Sequence, residues 1–216
     1  DRAAASGRLL VDAPFESPAA CAHAAQALAM LGQVTGERFF FEGARACLAR
    51  VARAATPCGW FPGPHAPVTT TQTATALRGL VEAARGLEDT AGLRLAVQGA
   101  RALREQLEPN GRLAGAHDDG WAPVAGHACI AGLARMACVW LRLAQIENDA
   151  VWRDAAWRAL AWIKRNQRQT GDDLALRDGL PAAVPIWGGA VPFRLDSLTL
   201  KYFADALMMD MVGIAI

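Results

Sequence analysis

The sequence predicts an all-α fold: an α/α toroid of repeated helical hairpins, incomplete or open, with about three and a half hairpins in the chain. Three observations carry that expectation. Alanine and leucine dominate while β-branched runs are scarce, so the composition leans helical. A glycine followed by a large residue recurs at Gly7-Arg8-Leu9, Gly59-Trp60-Phe61, Gly111-Arg112-Leu113 and Gly179-Leu180-Pro181, with steps of 52, 52 and 68 residues. Each interval holds two helix-like segments, the pattern of stacked hairpins.

Ser17 is a good N-cap and Pro18 suits a first helical position, which predicts a helix over about 17–34 with apolar residues running through Ala24, Leu28 and Leu31 to Gly32. His23 on this helix is expected to be packed. After Thr35-Gly36-Glu37 a second helix runs to about Ala54, with Phe40, Ala44, Cys47, Leu48 and Val51 on one face, and Pro57 stops it. The second hairpin repeats the design over Thr71–Leu87 and Gly92–Leu107, with a turn at Glu88-Asp89-Thr90 and a stop at Pro109-Asn110-Gly111. In the third, the segment from about Ala125 to Ile146 carries Ile130, Leu133, Met136, Ala137, Trp140, Leu141 and Leu143. That apolar surface is too wide for a helix with an exposed side, so it belongs inside. Its partner, Ala150 to Gln167, turns Trp152, Ala155, Ala156, Ala159, Leu160, Trp162 and Ile163 inward and its charges outward. A seventh helix over about Leu195–Met209 opens a fourth hairpin.

Alternation of broadly apolar with amphipathic helices predicts an inner and an outer layer. Short turns join inner to outer, and long connections over about 55–70, 109–124 and 168–194 lead from each outer helix to the next inner one. Those connections are expected to meet at the N-terminal ends of the inner helices, where unpaired N–H groups suit anionic or polyhydroxylated ligands. A closed ring of six such hairpins needs roughly 310 residues. The chain is therefore expected to enter the ring part-way round, and truncation, an open arc and closure by a second copy all fit.

The bulk numbers narrow the function classes. With 53% hydrophobic residues, 20% charged and a net charge of +1, one domain over 1–216 has ample material for a core. No Lys/Arg run provides the basic surface a nucleic acid requires. Charges interrupt every apolar run well short of a membrane span, so a soluble, cytoplasmic protein is expected, with a homo-oligomer possible. The cysteines Cys21, Cys47, Cys58, Cys129 and Cys138 have neither CxxC spacing nor an even count, so they are expected as small buried hydrophobes rather than a disulfide set or zinc site. Neither a metal nor a cofactor is expected.

The strings Thr35-Gly36-Glu37-Arg38-Phe39-Phe40-Phe41-Glu42-Gly43-Ala44 and Glu147-Asn148-Asp149-Ala150-Val151-Trp152-Arg153-Asp154-Ala155-Ala156 resemble the hairpin turns of α/α-toroid carbohydrate enzymes: six-hairpin glycosidases, uronyl hydrolases, some polysaccharide lyases and sugar epimerases. A more specific block begins at Asp119-Gly120-Trp121-Ala122-Pro123 and runs through Cys129–Ala134 and Trp140–Leu143. It continues with Pro185-Ile186-Trp187-Gly188-Gly189 and Lys201–Met208. This block resembles bacterial toroid proteins associated with polysaccharide biosynthesis, of the prenyltransferase/squalene-oxidase-repeat-like type. The resemblance implies an oligosaccharide or polysaccharide partner and no particular reaction.

Several residues carry chemistry suited to a glycan. His117-Asp118-Asp119-Gly120-Trp121 with His127 downstream is the densest polar cluster, and paired carboxylates are what glycoside chemistry uses. Neighbours in an extended segment point opposite ways, so one of Asp118 and Asp119 is expected as a turn residue. Asp118, Asp119 and His127 are the catalytic candidates. His65, His117, Trp60, Trp121, Trp187 and Arg194 are the substrate-binding candidates: tryptophan stacks on sugar rings, and arginine holds a carboxylate or phosphate. Trp60, at a repeat position, fits packing better than binding. The first expectation is hydrolysis, elimination or epimerisation of a polysaccharide or a uronic-acid-containing glycan. A non-catalytic glycan-binding or scaffold module competes with it. A terpenoid cyclase or prenyltransferase ranks third, since neither an Asp-x-Asp-Asp motif nor an Asp-x-Cys zinc arrangement is present.

Overall fold

A computed structural model describes residues 17–63, 67–170, 173 and 176–212, so the expectations for Gly7 and His65 lie outside the described residues. Seven helices are found among them: α1 (Pro18–Thr35), α2 (Arg38–Ala54), α3 (Thr70–Gly86), α4 (Thr90–Glu105), α5 (Ile130–Glu147), α6 (Ala150–Arg165) and α7 (Ser197–Val212). Four two-residue strands lie in the connections: β1 (Val68–Thr69), β2 (Ala116–His117), β3 (Ala128–Cys129) and β4 (Ala183–Val184). The fold is all-α, built of helical hairpins. By contacts the chain divides into two compact units, one of residues 1–66 with 75–101, the other of residues 67–74 with 102–216.

In the first unit α1 starts where its cap dictates. The Ser17 hydroxyl accepts the Ala20 N–H at 3.2 Å, and Gly36 ends the helix at φ 73 with its N–H on the Gly32 carbonyl. The buried stripe is Cys21, Ala22, Ala25, Leu28 and Ala29. It follows the small residues because α3 comes to backbone contact there: a Cβ on Gly79 would lie 2.4 Å from the Ala22 carbonyl. That close approach rotates the larger side chains away, and Leu31 is 45% exposed beside exposed Met30 and Val34. His23 is likewise exposed rather than packed. On α2 the expected face is buried from Ala44 to Val51, with Phe40 half-buried. Asp89 caps α4 by accepting the Ala91 and Gly92 N–H groups.

The glycine repeat corresponds to one turn used twice. After α2, Thr56 N–H donates to the Trp60 carbonyl and Gly59 N–H to Thr56, with Gly59 at φ +79. After α4, Glu108 N–H donates to the Arg112 carbonyl and Gly111 N–H to Glu108, with Gly111 at φ +90. A Cβ on Gly111 would also fall 2.1 Å from the Arg158 carbonyl, so glycine is required twice over. The third copy departs from this pattern: the left-handed residue there is Asp178, one position ahead of Gly179.

In the second unit α5 is buried without interruption from Ile130 to Ala144, as its wide apolar surface predicts. Its two buried arginines have partners: the Arg135 guanidinium stacks 4.1 Å from the Tyr202 ring, and Arg142 donates to Gln145 at 2.7 Å. The helix begins at Ile130, not near Ala125. Residues just before it are drawn into strand pairing, Ala128 and Cys129 with Val184 and Ala183, and the Ile130 N–H goes to the Ala182 carbonyl. α6 buries the seven predicted residues, and Asp149 caps it through the Val151 N–H. α7 lies against α5, and the Trp157 indole N–H donates to Asp210 at 2.7 Å, tying α6 to α7. Cys21, Cys47 and Cys138 are buried, Cys129 is half-buried and Cys58 is exposed. Among the described residues no helix is long and apolar enough to cross a membrane.

Candidate functional site

The polar cluster at 117–121 forms the tip of a small hairpin. His117 bridges Pro123, Asp118 N–H donates to the Ala122 carbonyl, and Val124 N–H donates to Ala116. The Asp118 carboxylate closes the tip by accepting the Gly120 N–H at 3.0 Å and the Ala122 N–H at 2.8 Å. This is the turn role foreseen for one of the two aspartates. Trp121 sits in the same turn at φ 68, an unusual conformation for a bulky side chain, and is 6% exposed.

His117 points the other way, into protein. β2 pairs with β1, opposing His117 to Val68, and the imidazole is 1% exposed. The Thr70 hydroxyl donates to the Ala114 carbonyl at 2.5 Å and lies 3.4 Å from His117 Nδ1. Nε2 is buried without a partner among the described residues. Burial pushes the pKa of His117 down to about 4, with the Asp118 charge opposing only part of the effect.

A pocket of about 280 Å³ lies wholly within the second unit, at the N-terminal ends of α3, α5 and α7. Three inner-helix starts therefore share one depression, as the alternation of helix types predicts for these connections. Its polar lining is Thr69, Thr71, His127, Cys129, Arg194 and Asp196. Each is delivered by a local rule. Thr69 and Gln72 form a capping box on α3, with Gln72 N–H on the threonine hydroxyl and Thr69 N–H on the glutamine carbonyl. Asp196 caps α7 through the Leu198 N–H and the Thr199 hydroxyl, and holds Arg194 at 3.3 Å. Cys129 Sγ lies 3.0 Å from the Thr71 hydroxyl. His127 stands two residues before Cys129, in the bend that leads into β3, and both line the pocket. The small residues Gly115, Ala131, Ala182, Ala183, Gly188 and Gly189 leave the space open.

Of the predicted site residues, His127 and Arg194 line this pocket. Asp118 and Asp119 do not, and neither do the buried His117 and Trp121. Burial rules out direct contact between the pocket's contents and His117, because strand pairing turns its ring inward. Trp187 is 65% exposed beside the lining glycines Gly188 and Gly189. Trp60 belongs to the first unit and is buried, the packing role that its repeat position suggested. The sequence by itself does not single out Thr69, Thr71, Cys129 and Asp196 as pocket residues. The signals for two of them were the Thr-x-x-Gln capping box at Thr69 and the Asp-Ser pair at Asp196-Ser197 ahead of an apolar helix.

No protein-family model and no curated protein matches the chain. Solved structures do. An unsaturated glucuronyl hydrolase from Bacillus sp. GL1, described as responsible for the degradation of glycosaminoglycan, aligns with a TM-score of 0.69 at 17% identity over 88% of this chain and 57% of that one. The GH76 α-mannanase of Bacteroides thetaiotaomicron gives 0.67 at 15% identity over 92% and 53%. A polysaccharide lyase gives 0.63 at 13% identity over 93% and 63%. The chain thus spans between half and two thirds of the length of these structures, and the likeness is one of fold: the α/α toroid of glycan-degrading hydrolases and lyases.

Proposed function

We propose that the chain is a carbohydrate-active protein whose pocket takes one sugar unit of a polysaccharide, a uronic acid in particular, with His127 transferring the proton. The observation that carries this reading is the pocket itself, where the His127 imidazole and the Arg194 guanidinium line one space on a fold shared with glycan hydrolases and lyases. A guanidinium neutralises a uronate carboxylate, and an imidazole beside it is suited to removing the proton next to that carboxylate. Elimination and epimerisation both start from that step. Asp196 is the carboxylate in the lining, whereas Asp118 and Asp119 lie outside it. Its contacts to Arg194 and to the start of α7 assign it to holding the arginine.

The test presents a panel of uronic-acid oligosaccharides. Elimination is read as ultraviolet absorbance of a new unsaturated bond, and hydrolysis as reducing ends released without it. His127→Ala is expected to lower kcat by about 10²–10⁴-fold and leave binding, while Arg194→Gln is expected to raise KM for acidic sugars and spare neutral ones. Binding that responds to both variants without turnover of any oligosaccharide would favour the glycan-binding module instead. The exposed Trp187 beside Gly188 and Gly189 speaks for that second reading.

A further inference from the structure

The ring nitrogens of His127 take part in no hydrogen bond to another described residue, although the side chain is half-buried. A histidine that works in acid–base chemistry is ordinarily aimed by a hydrogen bond to its second nitrogen. Here shape replaces that bond. A Cβ on Gly115 would lie 2.6 Å from His127 Nε2 and 2.8 Å from Cδ2, and a Cβ on Gly188 would lie 2.5 Å from His127 Cβ and 3.1 Å from Cγ. The two glycines come from different connections, and one is tied directly to the histidine backbone: Gly115 N–H donates to the His127 carbonyl at 2.8 Å. Arg112 reinforces the arrangement by donating to the Gly126 carbonyl at 2.8 Å.

We propose that Gly115 and Gly188 are positioning residues that clamp the His127 imidazole between two backbones, fixing its direction sterically where a hydrogen bond would ordinarily do so. The clamp deepens the reading of His127 as the proton-transfer group and rests on it for its catalytic meaning. Its geometry is testable without any substrate. Gly115 is the informative position, because its two shortest contacts are to the ring itself. Neither Gly115 nor Gly188 has a positive φ, so alanine meets no backbone penalty there and acts only through its methyl group.

The experiment is a double-variant cycle on the whole chain. Gly115→Ala, His127→Ala and the combination are compared by thermal unfolding, and the His127 ring signals, assigned by their loss in His127→Ala, are followed by NMR. Gly115→Ala is expected to shift those ring signals and to lower Tm by about 5 °C, the cost of an overpacked contact in a domain of this size. In the His127→Ala background the same substitution is expected to lower Tm by less than about half as much, because the ring atoms it strikes are gone and only the residue 127 carbonyl, 3.1 Å from the added Cβ, remains. Equal losses in both backgrounds, unshifted ring signals, or a double variant that fails to fold would overturn the clamp. Where turnover is measured, Gly115→Ala is expected to lower kcat about 100-fold with KM unchanged. Absence of turnover on every glycan counts against the glycan reading and leaves the stability cycle to judge the clamp.

Discussion

Two histidines ten residues apart, at the two ends of the hairpin that precedes α5, meet opposite fates. His117 lies on β2, pairs across to β1, and loses its imidazole to the interior with Nε2 unpartnered. His127 lies just ahead of β3, and its imidazole edges the pocket between Gly115 and Gly188. Residue type is the same at the two positions, and the more polar neighbourhood is that of the buried one. What differs is the face of the strand and the size of the neighbour opposite, so a polar cluster in a sequence marks a region of chemistry without saying which member performs it.

The sharpest way to break that contrast is to remove the pocket histidine. His127→Ala is expected to lower kcat on a turned-over oligosaccharide by about 10²–10⁴-fold while unfolding stability changes by less than about 1 kcal/mol. Stability lost together with activity would put His127 in the same class as His117.

The next effect belongs to His117 and appears as pH dependence. Its folded pKa is about 4 while an unfolded histidine sits near 6.5, so the unfolded chain takes up the proton first. The stability that neutral His117 contributes is therefore complete above about pH 6.5 and is lost as pH falls toward 4, by about 3 kcal/mol in all. Denaturant unfolding across that window should show the slope in the wild-type chain and a flatter one in His117→Gln. An unchanged slope would mean that other groups account for it.

Smaller effects sharpen the boundary between structure and site. Asp118→Ala removes the acceptor for two backbone N–H groups at the hairpin tip and is expected to cost about 1–2 kcal/mol of stability, with KM altered little. A large loss of kcat with normal stability would return Asp118 to catalysis. Trp187→Ala, at an exposed position, is expected to leave Tm unchanged and weaken glycan binding by about 1 kcal/mol, read by calorimetry. Unchanged affinity would remove the tryptophan from the ligand's path.

Much of the scaffold was legible because its causes are local. Ser17-Pro18, Gly36 and Asp149 set helix ends through hydrogen bonds within a few residues, and the seven inward positions of α6 follow from period alone. α5 starts at Ile130 rather than near Ala125 because Ala128 and Cys129 are claimed by a strand more than fifty residues away, which no window around them reveals. The buried face of α1 is out of local reach for a related reason: Gly79 brings α3 onto the alanines of α1, and the packing follows that contact rather than the largest side chains, which leaves Leu31 exposed.

Within the candidate site the division is the same. The residues by themselves determined that an all-α array of hairpins would form, that its long connections would hold histidine, aspartate, arginine and tryptophan, and where a left-handed glycine was needed twice at 52-residue spacing. Only the tertiary structure decided that Thr69, His127, Cys129, Arg194 and Asp196 share one pocket while His117 and Trp121 are sealed away. Caps and periodicity act over one or two turns of backbone. Burial and pocket membership depend on which distant segment pairs with which strand face, and a single sequence read alone does not contain that pairing.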